Sequence, residues 1–146
     1  MSIYTQTIQG IYTALGSATR AATQTVSGKN LIDPNNSNAF FTTGINPEAS
    51  GIIAYLNVTA VPGVDTVQLV LEEQDPVSGS WATFAATTAT AATGLVRLKV
   101  KQAIQTIAAS ATQVQVQDTL PAIWRLRVVH SAATNFTYSL GVVLYN

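Results

Sequence analysis

From Ile52 onward the chain alternates between apolar and polar positions. Ile52, Ala54, Leu56, Val58 and Ala60 fall on one side of an extended backbone and Ile53, Tyr55, Asn57 and Thr59 on the other, which predicts a half-buried strand. Val61-Pro62-Gly63-Val64 then predicts a type II turn, because Pro presets φ at its second position and Gly admits positive φ at its third. Val67, Leu69 and Leu71 oppose Gln68, Val70 and Glu72 up to Asp75-Pro76-Val77-Ser78-Gly79, a turn that returns the chain through Trp81, Thr83 and Ala85. These three segments predict a meander. The Ala/Thr run from 82 to 94 has little to bury and reads as a strand decaying into a loop. Val96, Leu98 and Val100 then alternate with Leu95, Arg97, Lys99 and Lys101, and Val114 and Val116 stand among three glutamines. Trp124, Leu126, Val128 and His130 oppose Ile123, Arg125, Arg127 and Val129, and Phe136, Tyr138, Leu140, Val142 and Leu144 form a last alternating strand.

The first fifty residues follow neither rule. Between Ser17 and Gly51 the apolar positions keep neither a two-residue nor a 3.6-residue period, and Asp33-Pro34-Asn35-Asn36 marks a turn. Tyr4, Ile8, Ile11, Tyr12 and Leu15 stand at helical offsets, but Thr5, Thr7 and Thr13 are mediocre helix formers, so helix and strand both remain open there. The pattern therefore predicts an all-β fold: an antiparallel β-sandwich, jelly-roll or Ig-like, of seven to eight strands over residues 51–146, preceded by an extended arm over residues 1–50.

Composition changes this picture in two ways. Of 146 residues only 10% are charged, seven Lys and Arg against seven Asp and Glu, while 21 are Ala and 20 are Thr. A surface built on uncharged polar groups at zero net charge favours association, which predicts an assembly subunit, and it gives no overall field to attract nucleic acid or anionic lipid. Zero cysteines remove disulfides, thiolate metal sites and a Cys nucleophile. No stretch is long and apolar enough for a membrane span, and the start lacks the layout of a signal peptide, so the expected place of synthesis is the cytoplasm.

Several pieces together carry a resemblance. Leu56-Asn57-Val58-Thr59-Ala60-Val61-Pro62-Gly63, the hairpin Gln74-Asp75-Pro76-Val77-Ser78-Gly79, and the ending from Leu120-Pro121 through Trp124-Arg125, His130-Ser131 and Phe136-Thr137-Tyr138-Ser139-Leu140-Gly141 resemble a family of tailed-phage virion proteins. The resemblance spans roughly Ala18 to Leu144. It implies a small β-domain on the capsid exterior, less often at the neck or tail, with a structural role and no catalysis. Ser80-Trp81-Ala82 departs from the family's Lys-Tyr type of strand start, and the insert from Asp33 to Gly44 is longer than usual.

The candidate chemistry is sparse. His130 with Ser131 and Asp118 holds the residue types of an acyl-transfer set, but neighbours on a strand face opposite ways and no Gly-x-Ser-x-Gly elbow is present. Asp65, Glu72, Glu73 and Asp75 cluster in sequence, yet Glu72 and Glu73 point apart, so a solvated edge is expected over a metal site. Asp33, Asn35 and Ser37 imitate the start of a calcium loop whose required Gly is Asn38. No enzyme activity and no cofactor or metal are expected. Arg97, Lys99 and Lys101 form one basic stripe and Arg125 and Arg127 another; if their strands adjoin, five cations share one surface able to meet an acidic partner or a phosphate backbone, and no base-stacking aromatics are interleaved with them. Tyr4, Ile8, Ile11, Tyr12, Phe40 and Phe41 are the apolar anchors of the arm and need a neighbouring subunit to receive them. The expected function is a capsid decoration or cement protein on the exterior of the virion. Its expected partners are the major capsid protein and copies of itself, as a dimer or trimer, with no nucleic acid and no membrane. The alternatives are a neck or tail component, or a carbohydrate-binding module with Tyr55, Trp81 or Tyr145 as its platform.

Overall fold

A computed structural model describes residues 8–27 and 49–146. Nine strands occur among the described residues: β1 (Ile8–Arg20), β2 (Gln24–Ser27), β3 (Gly51–Ala60), β4 (Val67–Gln74), β5 (Trp81–Ala86), β6 (Gly94–Lys101), β7 (Gln113–Gln117), β8 (Trp124–His130) and β9 (Phe136–Tyr145). They form two packed sheets, sheet A in the order β1-β9-β3-β6-β7 and sheet B in the order β2-β8-β4-β5. Every named pair is antiparallel except β6 with β7, which run parallel.

The alternation creates the core directly. Ile52, Leu56, Leu98, Leu140 and Leu144 point inward from sheet A and meet Leu69, Leu71, Trp124 and Leu126 from sheet B in one apolar cluster. Burying each such side chain contributes roughly 1.5–3 kcal/mol, and Trp124, Phe136 and Tyr138 are the largest fully buried members. The β4–β5 hairpin is closed by its own turn chemistry. Asp75 Oδ1 accepts the Val77 N–H at 2.9 Å and Oδ2 accepts the Ser78 hydroxyl at 2.7 Å, while Gly79 takes φ +75°, a conformation that suits glycine. Those hydrogen bonds, led by the one from Val77, hold the Asp75 carboxyl below its ordinary pKa.

All seven strands read from Ile52 onward are present, and two more lie upstream. Residues 8–27 therefore do not form an arm outside the sandwich: β1 pairs with β9 from Ile8↔Tyr145 to Arg20↔Phe136, and β2 pairs with β8. The physical reason is irregularity. Register shifts between Ile8 and Gly10, Thr13 and Leu15, and Leu15 and Ala18 break the two-residue period of β1, and β2 is too short to show one. The helical alternative for the start is excluded over residues 8–15. The predicted meander is also corrected, because β3 belongs to sheet A while β4 and β5 belong to sheet B, and residues 61–66 carry the chain from one layer to the other. Tyr4, Phe40, Phe41, the insert from Asp33 to Gly44 and the calcium-loop imitation lie outside the described residues.

Candidate functional site

The outer face of sheet A is assembled by register. Partners on neighbouring strands point to the same face, so Ile11 of β1, Val143 of β9, Ile53 of β3, Lys99 of β6 and Gln115 of β7 form one row. The next row holds Thr13, Gly141, Tyr55, Arg97 and Gln113. Tyr145 pairs with Ile8 on one side and Gly51 on the other, and Lys101 on β6 reaches across the missing side chain of Gly51 to put Nζ 4.0 Å from the centre of the Tyr145 ring. Burial, and then the nearby Tyr55 phenol, push the Tyr145 pKa up.

This face has a chemical gradient. Ile8 and Ile11 are 59% and 66% exposed at the β1 edge, the tyrosines lie mid-sheet, and Arg97, Lys99 and Lys101 stand beyond them on β6. None of the three cations has a carboxylate partner among the described residues; Arg97 donates to Gln113 Oε1 at 3.4 Å. The fourth cation of the sheet, Arg20 at the end of β1, is spent internally. Its guanidinium donates to the carbonyls of Tyr138 at 2.8 Å and Gly16 at 2.6 Å and lies over the Tyr138 ring.

The outer face of sheet B is self-compensated. Glu72 on β4 accepts from Arg125 Nε at 2.5 Å and Arg127 Nη1 at 3.1 Å, both on β8, and is itself nearly buried. Burial is the largest single influence on its carboxyl and raises the pKa, but the hydrogen bonds and charges of the two arginines together outweigh it, so the net direction is down. Arg125 also stacks on Trp81, 4.1 Å from the ring centre. A shallow groove of about 330 Å³ runs beside Trp81, with Glu73, Asp75 and Pro76 in its wall.

The five cations are thus not on one surface. β6 lies in sheet A and β8 in sheet B, so the two stripes face away from each other, and among the described residues the β8 stripe has a carboxylate partner and the β6 stripe has none. Tyr12 is likewise not an anchor for a neighbour: it is buried in the core. Ile8 and Ile11 are exposed as expected of anchors, but on a strand of the sheet.

His130 finds a different partner from the one its sequence neighbours suggest. Its Nε2 lies 2.9 Å from the Tyr138 hydroxyl, whereas Ser131 Oγ accepts the Thr66 N–H at 2.8 Å and Asp118 Oδ1 accepts the Thr119 N–H at 2.7 Å. Burial pushes the Tyr138 phenol up to about 12 against the opposing charge of Arg20, so it stays neutral. The other ring nitrogen, Nδ1, is buried without a hydrogen bond of normal geometry. Burial lowers the His130 pKa most, the backbone of Thr134 pulls it up, and the Arg20 charge lowers it further. Among the described residues no three His, Asp or Glu side chains stand together as a metal site.

Which residues face outward was legible from parity. The meeting of Ile11 with Lys99, of Lys101 with Tyr145 and of Glu72 with two arginines was not, because it depends on strand order. No protein-family model matches the chain, and comparison with curated proteins gives no match.

Proposed function

We propose that this protein is a structural subunit of a tailed-phage particle, a decoration or cement protein that binds the lattice of the major capsid protein on the head exterior, alongside copies of itself, and stabilises the shell without catalysis. In this reading the sandwich is of the jelly-roll or Ig-like kind. The observation that carries it is the placement of exposed apolar side chains. Ile8, Ile11 and Leu95 are the large apolar side chains that the described strands expose, and all three lie on the outer face of sheet A. Apolar side chains gathered on one face of a low-charge domain favour a lasting contact with another subunit. The sequence resemblance over Ala18 to Leu144 points to the same role.

A neck or tail position uses the same chemistry at another copy number. Densitometry of this chain against the major capsid protein in purified particles decides between them: on the order of hundreds of copies is expected for the head, about a dozen indicates the neck, and absence from particles overturns the reading. Trp81, half-exposed beside its groove, supports a second reading as a carbohydrate-binding module. Retention of the purified chain on host-surface polysaccharide, lost in Trp81→Ala, is the result that would favour it.

A further inference from the structure

We infer that the outer face of sheet A is the docking face of the protein, and that it takes a protein surface bearing a row of carboxylates beside an apolar ridge. Charge is distributed unevenly between the two sheets. The chain as a whole is neutral, yet the five strands of sheet A contain no Asp or Glu, while β6 alone carries Arg97, Lys99 and Lys101. Asp118, just beyond β7, gives its carboxylate to the Thr119 N–H. The acids at the β4–β5 end lie on the other layer, where Glu72 is consumed by two arginines and Asp75 by its own turn. The two outer faces therefore differ in kind: sheet B neutralises its cations internally, and sheet A leaves its row without a carboxylate partner among the described residues.

Geometry says what would complement that row. Alternate residues on a strand are about 6.8 Å apart, so the three cations form a straight ladder that carboxylates on alternate positions of an extended segment can match one for one. In the same register row Lys99 is followed by Ile53, which is only 6% exposed and adds no contact area, then by the half-buried Val143 and the exposed Ile11, so the apolar ridge lies along β1 and β9. Tyrosine and arginine are enriched at protein interfaces, and with Lys99 and Lys101 at the charged side and no Asp or Glu in the strands of the sheet, this face pairs an apolar side that supplies affinity with a charged side that supplies orientation and approach. A single-stranded nucleic acid would use the same cations and could stack on Tyr55 and Tyr145, but the Tyr145 ring is already covered by Lys101, and Ile8 and Ile11 would gain nothing from a phosphate chain. The acidic protein surface uses both halves of the face. That this surface belongs to the capsid lattice rests on the proposed function above; the assignment of the face does not.

The test uses the ¹⁵N-labelled full chain and no particle, so it can fail while the particle densitometry succeeds, and the reverse. The probe is a synthetic β-hairpin peptide with Glu at alternate positions of one strand and Leu at the same-face positions of the other, with oligothymidylate as competitor. The expected result is amide shifts confined to β1, β9, β3 and β6, weaker at high salt. Affinity is expected to fall about tenfold in Lys99→Glu/Lys101→Glu and in Ile11→Asp, and to stay unchanged in the sheet B control Thr25→Glu/Thr83→Glu. Spectral dispersion and melting temperature verify each fold, and Lys99→Gln replaces the double variant if that one does not fold. Shifts on sheet B, no shifts, or parental affinity in the sheet A variants overturn the inference. Displacement of the peptide by oligothymidylate at lower concentration also overturns it, in favour of nucleic acid.

Discussion

Tyr12 of the first strand stands opposite Val142 of the last, and both are buried in the one apolar core. The β1–β9 pairing around them runs the length of β1, so the strand that sequence pattern assigns to an arm is a structural edge of sheet A. Tyr12→Ala is expected to lower the unfolding free energy by about 3 kcal/mol, the usual cost of emptying a buried aromatic site. Deleting residues 1–20 should cost more, because it also strips β9 of a hydrogen-bonding neighbour. Denaturant unfolding measures both, and a truncated chain with the parental midpoint would refute the edge role.

Glu72 gives the protein an acid-sensitive fastening. Its carboxyl titrates below the ordinary 4.5, so the unfolded chain binds the proton first as pH falls. The stabilisation is fully present above about pH 4.5 and is lost as pH drops through the folded value. Glu72→Gln should cost roughly 2 kcal/mol at neutral pH, since both arginines lose a charged acceptor, and the gap to the parent should narrow in acid. Melting curves of both proteins across that range make the comparison; a gap that does not change with pH would separate the effect from ionisation.

His130 titrates in the opposite sense to a salt-bridged histidine. Its folded pKa lies below 6.5, so the unfolded imidazole takes up a proton first. The contribution is intact above about pH 6.5 and declines as pH falls from there through the folded value. His130→Gln should remove that part of the acid slope, and ring-proton shifts followed by NMR should give a midpoint below 6.5. A midpoint above 6.5 would contradict the burial beside Tyr138.

Ala103, in the turn after β6, holds φ at 58°, where a Cβ is strained. Ala103→Gly is expected to raise stability by about 1 kcal/mol, the strain relieved exceeding the entropy lost, as read from the thermal midpoint. An unchanged or lower midpoint would show that the turn tolerates the Cβ.

Trp124 is fully buried and Trp81 is half-exposed on the other side of sheet B, under Arg125. Acrylamide should therefore quench Trp81 strongly and Trp124 weakly. Trp81→Phe is the check: its remaining emission should be blue-shifted and protected, and an accessible, red-shifted Trp124 would place that residue outside the core.

What the sequence determined by itself was local. Period-two alternation from Ile52 to Leu144 is a property of successive residues on one backbone, so seven strands, the inward faces of all but β5 and the Asp75–Gly79 turn could be read directly. On β5 a register shift sets Ala85 opposite the core Leu71 but Thr83 opposite the outward Glu72, which breaks the single alternation of Trp81, Thr83 and Ala85. The same reading put Arg97, Lys99 and Lys101 on an outer face. It failed on β1 because bulges shift the face a residue presents, and Tyr12, Ala14 and Leu15 then show no fixed period. Tertiary structure alone decided which strands are neighbours. Strand order is set by crossovers and long-range pairing, which leave no trace in the spacing of nearby residues. That order put β6 and β8 in opposite layers, gave Arg125 and Arg127 to Glu72, and left the β6 row without a carboxylate partner among the described residues, on the same face as Ile11, Val143 and Tyr145.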